Sequence, residues 1–248
     1  MISILAVNWW SNEFTALLIN SVVNNTVGDY EILICDNSGE LDQRNLDILF
    51  GDNIIRIIKS NQNLGHGAGL DLLMREAKGD YILALDIDSH ILLKGWDKKI
   101  VEYYESKNDL DIVKSLKMLG GEGSNLKPVR PCVMFFERDF FINNKMSFKA
   151  RDFDGVKFDV SIHFYFKTLS LGFDVENLKY SKTEYKDVIG NNYMLGTEQF
   201  IFHHWYGTRW FNKDGDRVHN KIDNLEYEKF IDSKINLIQQ CEKLNSDN

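Results

Sequence analysis

One apolar run that ends in two aspartates constrains the fold of this chain more than any other stretch. Residues 81–85 (YILAL) are apolar and follow a glycine and an aspartate that indicate a turn. A short apolar run between turn signals predicts a strand buried on both faces of a sheet. The run leads into Asp86-Ile87-Asp88, and side chains at positions i and i+2 of an extended backbone point to the same side. We therefore expect two carboxylates side by side at the end of a central strand.

The position of this pair indicates a ligand site. Open α/β sheets bind their ligands at the carboxyl ends of their parallel strands. Two carboxylates placed there repel each other unless a cation lies between them, and Mg²⁺ and Mn²⁺ favour oxygen ligands that also bridge to substrate phosphates. Asp86 and Asp88 are therefore candidate ligands of a divalent cation. Two solvated aspartates in a turn are the alternative, because an Asp-x-Asp pattern alone is not specific.

Polar residues also follow two earlier strands. The chain before residue 80 alternates predicted strands at 2–7, 30–36 and 53–59 with predicted helices at about 11–23 and 70–77. This alternation is typical of a mostly parallel, doubly wound α/β sheet, and right-handed crossovers bring the carboxyl ends of its strands to one edge. Asn8 and Asp36 are then expected at that edge. Asp36 suits hydrogen bonds with a nucleobase or a ribose, since a carboxylate accepts from N–H and hydroxyl groups, and capping of a turn is its alternative role.

A glycine-rich segment follows the third predicted strand. Residues 61–69 read NQNLGHGAG, which is neither a dinucleotide-binding fingerprint nor a P-loop. Because the segment lies between a strand and a helix, its backbone can approach a ligand closely. A simple connecting loop is the alternative.

The second half of the chain has weaker signals. It has predicted helices at 96–104, 160–171 and 224–244 and predicted strands at 111–116, 131–137 and 173–180. It also has a flexible loop at 120–125, an irregular segment at 150–158, and an aromatic strand or loop with two histidines at 200–209. With 248 residues and 44% hydrophobic residues, the chain is expected to form one large α/β domain at about 1–215, followed by a helical extension at 216–248. The nucleotide-binding half would end near residue 118. The amphipathic pattern of 224–244 predicts a helix that packs on the domain or on a second copy of the chain.

Charge and composition exclude several classes of protein. A net charge of −8 argues against a standing surface for nucleic acid or anionic membrane. No stretch approaches the roughly 20 apolar residues of a membrane span, and the N-terminus lacks the pattern of a signal peptide. The three cysteines are far apart and have neither zinc nor disulfide spacing. These features predict a cytoplasmic location.

The order of the motifs resembles that of nucleotide-sugar glycosyltransferases with the GT-A fold, close to family 2. The resemblance runs from residue 2 to about Arg209. It rests on the aspartate after the second strand, N-x-x-L-G-x-G, A-x-G-D-Y-I-L-x-L-D-x-D, F-D-V before a helix, and H-H-W-Y-G-T-R. There are two departures: Asp71 stands where the family often has asparagine or arginine, and Phe158 precedes Asp159 where the family frequently has a second acid.

The resemblance implies a metal site. In this family the Asp-x-Asp acids hold Mn²⁺ or Mg²⁺ against the donor diphosphate, which assigns that role to Asp86 and Asp88. A histidine near the end of the catalytic domain can complete the site, which makes His203 and His204 candidates. Adjacent residues on an extended backbone face opposite ways, so only one of the two joins the metal readily, and we favour His203. Packing in an aromatic core is the alternative role for both.

The resemblance also implies the donor and acceptor contacts. Asp36 would read the base, and Asn8, Asn61, Gly65 and Asp86 would contact the rest of the nucleotide sugar. Asp159 would be the general base that activates the acceptor hydroxyl. Two rivals for that role lie nearby, Asp152 and Asp154.

The function implied is metal-dependent transfer of a sugar from a nucleoside diphosphate, with UDP favoured, to a hydroxyl of an unknown acceptor, with inversion. A sugar-phosphate nucleotidyltransferase is one alternative. It would need a glycine-rich, basic signature after the first strand, where this chain has Asn8-Trp9-Trp10-Ser11. A binding module without turnover is the other, and the intact Asp-x-Asp and Asp159 argue against it.

Overall fold

The computed structural model describes residues 1–50, 54–60, 62–107, 115–121, 129–153, 156–158, 160–185 and 188–204. Its elements in chain order are β1 (Ile2–Asn8), α1 (Asn12–Asn25), β2 (Tyr30–Asp36), α2 (Gln43–Phe50), β3 (Ile55–Lys59), α3 (His66–Glu76), β4 (Tyr81–Leu85), β5 (Ser89–Ile91), α4 (Trp96–Ser106), β6 (Leu116–Gly121), β7 (Arg130–Glu137), α5 (Arg138–Asn143), β8 (Arg151–Phe153), β9 (Val156–Phe158), α6 (Ile162–Ser170), β10 (Asp174–Asn177), β11 (Tyr180–Tyr185), β12 (Val188–Leu195) and β13 (Glu198–His203).

A seven-stranded sheet with the order β10-β6-β7-β4-β1-β2-β3 forms the centre of the fold. Strands β4, β1, β2 and β3 are parallel neighbours, and β10 is parallel to β6. Only β7 among the described strands of this sheet runs the other way, antiparallel to both β4 and β6. The predicted mostly parallel α/β sheet is therefore confirmed, and the carboxyl ends of β1, β2 and β4 lie along one edge.

Side chains of the central strands alternate between two hydrophobic clusters. On one face, Ile4 of β1 and Leu83 of β4 belong to the same cluster as residues of α1 and α4. On the other face, Leu5 and Ile82 belong to a cluster that includes residues of α3, α5 and α6. Because successive residues of a strand point to opposite faces, continuous apolar runs are what a sheet covered by helices on both sides requires.

A second sheet, which the sequence pattern does not predict, begins where the central strand β4 ends. It has four antiparallel strands in the order β11-β12-β13-β5. Strand β5 begins at Ser89, directly after Asp88, and pairs with β13. The second sheet therefore starts at the aspartate pair.

Two glycines lie where backbones pack closely, in elements that differ from those predicted. Helix α3 begins at His66 and includes Gly67, whose Cβ, if it had one, would lie 2.5 Å from the carbonyl oxygen of Phe148. Gly120 belongs to β6 and not to a flexible loop, and a Cβ there would lie 2.2 Å from the carbonyl oxygen of Val133. Residues 122–125 of that predicted loop lie outside the described part of the chain.

Other predictions hold with shifted boundaries or fail. Three predicted helices are confirmed: 11–23 as α1, 96–104 as α4 and 160–171 as α6. Two predicted strands are also confirmed, 131–137 as β7 and 173–180 as β10. Helix α2 was not predicted, and the segment predicted to be irregular at 150–158 contains the hairpin of β8 and β9. Residues 111–114 of the strand predicted at 111–116 lie outside the described part of the chain, and β6 begins at Leu116.

The C-terminal part of the chain lies outside the described residues from 205 onward, and this includes the predicted helix at 224–244 and the extension at 216–248. In the part of the chain that the structure describes, no helix combines the length and the apolar character needed to cross a membrane.

Candidate metal and donor site

The structure places Asp86 and Asp88 immediately after β4, at the edge where the parallel strands end. The N–H of Ser89 donates to the carbonyl oxygen of Asp86 at 3.0 Å, which closes a tight turn around the pair. The Asp88 side chain is 4% exposed and the Asp86 side chain is 28% exposed. One carboxylate is therefore enclosed by protein, and the other faces the solvent that a substrate would displace.

Pairing of β5 with β13 brings His203 to the aspartates. His203 is the register partner of Ser89, and the N–H of the next residue, His204, donates to the carbonyl oxygen of Asp88 at 2.8 Å. Nε2 of His203 lies 3.2 Å from Oδ1 of Asp88 and 3.4 Å from Oδ2 of Asp86. Each of the three residues offers a ligand atom, and these atoms all lie within 4.8 Å of one another. We call Asp86, Asp88 and His203 the aspartate–histidine cluster.

The electrostatics of this cluster fit a cation. Burial alone would lower the pKa of His203, but the carboxylates of Asp88 and Asp86 outweigh burial and raise that pKa well above its usual 6.5. A protonated His203 thus supplies a positive charge next to the two acids, as a bound cation would. Nδ1 of His203 is buried, and no described residue offers it a hydrogen bond. Two carboxylates and one imidazole form a donor set that suits Mn²⁺. Mg²⁺ prefers oxygen ligands, so it would bind the two carboxylates more readily than the imidazole.

His204 faces the other side of β13 and does not reach the cluster. Its Nε2 lies 2.8 Å from Nδ1 of His90, and its ring packs against Phe14 and Phe202 with centroid distances of 5.3 and 4.9 Å. Burial, together with the neighbouring His90 and His203, lowers the pKa of His204 well below 6.5. His204 is therefore a neutral core residue in this geometry, and of the two adjacent histidines only His203 lies beside the two acids.

Asn8 and Asp36 meet at the ends of adjacent strands, as register partners. Nδ2 of Asn8 donates to Oδ1 of Asp36 at 3.0 Å, and both residues are fully buried. Asp36 also accepts hydrogen bonds from the Ser38 hydroxyl at 2.6 Å and from the N–H of Leu41 at 2.9 Å. Oδ1 of Asn8 accepts from the N–H of Ser11 at 3.1 Å. These bonds match the turn-capping role of Asp36, in which both residues hold the loop after β2.

Gly65 lies in an exposed loop that leads into α3. Its φ of +78° is a left-handed conformation that favours glycine, and nothing lies within 4 Å of the position of a Cβ. The loop is attached to its surroundings by two side-chain acceptors, since Asn63 accepts from the N–H of Gly65 at 2.8 Å and Asn37 accepts from the N–H of Leu64 at 3.3 Å. The space beside Gly65 is therefore open, although its N–H is already hydrogen-bonded. Asn61 lies outside the described residues.

Sequence reasoning missed His66, the first residue of α3. Its Nε2 lies 3.4 Å from Oδ1 of Asp86, and its side chain is 30% exposed. A lone histidine is an ordinary surface residue in most sequences, so its type alone gave no signal. Its place directly after Gly65, in a segment already predicted to line the site, was the available indication.

The structure does not describe the predicted general base. Asp159 and its rival Asp154 lie outside the described residues, and Asp152 lies in β8. Two residues after Asp159, the backbone is well anchored: Ser161 has a φ of +69°, its N–H donates to the carbonyl oxygen of Phe148, and its hydroxyl donates to the carbonyl oxygen of Val129, each at 3.0 Å.

Comparison with known proteins gives one curated relative and several solved structures. An uncharacterized glycosyltransferase of Methanocaldococcus jannaschii is 24% identical over 215 residues, which are 79% of this chain and 74% of the relative. Staphylococcus aureus TarS 1–349 is similar with a TM-score of 0.56 and 12% identity, over 98% of this chain and 82% of that one. The mannosyltransferase PcManGT from Pyrobaculum calidifontis, solved in complex with GDP-Man and Mn²⁺, has a TM-score of 0.52 and 9% identity, over 71% of this chain and 54% of that one.

The similarity to these solved structures supports the fold assignment, and the match to a family profile supports membership of that family. In the first solved chain that it resembles, TarS 1–349 with UDP-GlcNAc, this chain spans about half of the length, 48%. The profile of glycosyl transferase family 2 matches residues 5–164, which contain the end of β1, the loop after β2, the segment before α3 and the aspartate pair. The chain belongs to glycosyl transferase family 2.

Proposed function

We propose that this protein is a metal-dependent glycosyltransferase that moves a sugar from a nucleoside-diphosphate donor to an acceptor hydroxyl. One observation carries the proposal. His203 lies more than a hundred residues after Asp86 and Asp88 in the chain, yet the three residues meet at the carboxyl edge of the sheet with their ligand atoms within 4.8 Å of one another. A random α/β core has no reason to bring two acids and an imidazole together there.

The aspartate–histidine cluster would hold Mn²⁺ or Mg²⁺. When bound, such an ion supplies a Lewis acid that neutralises the charge on the leaving diphosphate. Asp88 is buried and His203 is 12% exposed, whereas Asp86 is 28% exposed and would face the donor. PcManGT, which shares the fold, was solved with GDP-Man and Mn²⁺, and this supports a nucleotide sugar and a divalent ion as the first ligands to test.

The donor would lie between this cluster and the loops that follow β2 and β3. Asp36 and Asn8 use their polar atoms to hold the loop after β2, so we assign them the role of shaping the base site. Backbone groups near Gly65 and the segment that contains Asn61 would face the sugar nucleotide. UDP remains the nucleotide that we favour.

Asp159 would act on the acceptor side. The acceptor hydroxyl has a high pKa and needs a positioned base, which a carboxylate provides. The acceptor oxygen forms a bond to the anomeric carbon while the bond from that carbon to the diphosphate oxygen breaks, and its electron pair leaves with the nucleoside diphosphate. The proton of the acceptor passes to Asp159. Attack from the side opposite the leaving group inverts the anomeric centre.

A donor screen tests the proposal. Each of a set of nucleotide sugars is incubated with the protein, with and without Mn²⁺, and release of the nucleoside diphosphate by transfer or by slow hydrolysis is measured. We expect Mn²⁺-dependent release from one donor, and its loss in Asp88→Asn. Binding of a donor without any release would favour a binding module. Formation of pyrophosphate from a nucleoside triphosphate and a sugar phosphate would favour a nucleotidyltransferase.

A further inference from the structure

We propose that His66 is a positioning residue that holds Asp86 in the orientation needed for metal binding. The inference rests on the proposed function, because it assigns a second histidine to the same site. The observation behind it is the contact between Nε2 of His66 and Oδ1 of Asp86 at 3.4 Å. Nothing in the sequence pattern or in the family match assigns a role to this residue.

The two oxygens of Asp86 face different imidazoles. Oδ2 lies 3.4 Å from Nε2 of His203, inside the aspartate–histidine cluster, whereas Oδ1 lies 3.4 Å from Nε2 of His66. His66 is not one of the residues whose ligand atoms all lie within 4.8 Å of one another. It therefore contacts Asp86 from outside the cluster, on the oxygen that the cluster does not use.

Asp86 needs such a partner more than Asp88 does. The Asp88 side chain is 4% exposed and is enclosed by the fold, whereas the Asp86 side chain is 28% exposed. A partly exposed carboxylate is less enclosed than a buried one, and the rotational freedom that it keeps is lost, at a cost in free energy, when a metal binds. An N–H of His66 donated to Oδ1 would reduce that cost before the metal arrives. Outer partners of this kind orient metal ligands in many proteins.

The backbone of His66 is fixed well enough to serve this purpose. It begins α3 directly after Gly65, whose left-handed φ of +78° sets the direction of the chain. The N–H of Gly69 donates to the carbonyl oxygen of Gly65 at 3.1 Å, which closes the first turn of the helix. The next residue, Gly67, packs against the backbone of Phe148 so closely that a Cβ would lie 2.5 Å from its carbonyl oxygen. The imidazole is therefore presented from a rigid point.

Two variants of nearly equal size test the role. His66→Gln keeps an N–H donor that can reach Asp86, and His66→Leu does not. Mn²⁺ alone, without nucleotide, is titrated into each variant and into the wild type, and bound Mn²⁺ is followed by electron paramagnetic resonance. We expect His66→Leu to weaken Mn²⁺ binding by about 10-fold or more, which is the usual effect of losing an outer partner. We expect His66→Gln to recover most of that loss. Without metal, both variants should unfold at the same temperature as the wild type.

The outcomes separate the inference from the function on which it rests. Equal Mn²⁺ affinity in the Leu variant and the wild type would overturn the positioning role, and so would an equal loss in both variants. Unchanged Mn²⁺ affinity with weakened UDP binding would also overturn it, since His66 would then be a direct donor contact. A wild-type protein that does not bind Mn²⁺ at all, with or without UDP, would instead refute the proposed metal site. Asp88→Asn serves as the reference for loss of a direct ligand.

Discussion

Binding of Mn²⁺ to the aspartate–histidine cluster should weaken as the pH falls, because His203 must lose a proton before it can act as a ligand. In the metal-free protein the carboxylates of Asp88 and Asp86, 3.2 and 3.4 Å from Nε2, overcome the effect of burial and raise the pKa of His203 well above 6.5. The imidazole is then protonated near neutral pH. A metal ion and this proton compete for the same nitrogen.

The size of the effect follows from proton competition. Below the pKa of His203, each bound Mn²⁺ releases about one proton, so its affinity changes about tenfold for each pH unit, or about 1.4 kcal/mol. The sign is that of a group whose pKa is raised in the free protein: affinity increases as the pH rises and levels off above the pKa of His203. Without the raised pKa, the slope would already disappear near pH 6.5.

Calorimetry measures both quantities. Mn²⁺ is titrated into the protein at several pH values from about 6.5 upward, in two buffers with different ionisation enthalpies, which gives the affinity and the number of protons released. In His203→Gln the remaining affinity should be lower, and the release of about one proton near pH 6.5 should disappear. An affinity that is independent of pH over this range in the wild type, with no proton released, would refute the assignment of His203 as a ligand.

Three further changes have expected results. Asp159→Asn should lower transfer by roughly 10²–10⁴-fold and leave Mn²⁺ and donor affinity unchanged, because the amide cannot accept the acceptor's proton; near-normal turnover, measured as product formed, would exclude this base. Gly120→Ala should lower the free energy of unfolding by about 1–3 kcal/mol in urea titrations, because a Cβ would lie 2.2 Å from the carbonyl oxygen of Val133, and stability equal to the wild type would contradict the close packing of β6 on β7. Asn8→Ala should lower the free energy of unfolding by roughly 1–3 kcal/mol in the same titration, because its buried partners lose their hydrogen bonds. Unchanged stability with weaker donor binding would instead indicate that Asn8 contacts the donor.

The central sheet could be predicted because the pattern that identifies each of its strands lies within a short stretch of the sequence. A strand covered by helices on both faces is mostly apolar, and β1, β2 and β4 are short apolar runs that lead to polar residues. Ser3 and Glu31 interrupt β1 and β2, and the Ser3 hydroxyl donates to the Glu31 carboxylate. The prediction of Asp86 and Asp88 as neighbours needs only the period of an extended backbone and the rule that parallel strands end at one edge.

The second sheet was not predictable in the same way. Strand β5 has three residues, which is too short to show a period, and its partner β13 follows more than a hundred residues later. The pairing of Ser89 with His203 therefore depends on the tertiary fold. The adjacency of His203 and His204 did predict that at most one would face a metal, and the register of this pairing then places His203 beside the acids.

Glycines were misread for a related reason. Gly120 was interpreted as part of a flexible loop, and Gly67 as part of a segment before a helix that a ligand could approach, whereas the structure uses both where two backbones approach too closely for a side chain. From one sequence, both uses of glycine look alike. The same limit applies to Asp36, whose contacts with Ser38 and Leu41 depend on the course of the loop after β2.

The most direct test of the proposed metal site is a crystal structure of the protein grown with Mn²⁺ and a nucleoside diphosphate, with anomalous scattering data recorded for manganese. We expect one strong anomalous peak at bonding distance from Asp88 and His203, with Asp86 and the diphosphate completing the coordination. The same crystals of Asp88→Asn should lack that peak. Manganese bound elsewhere with the cluster still empty, or a diphosphate bound at the sheet edge without any metal at the cluster, would contradict the account.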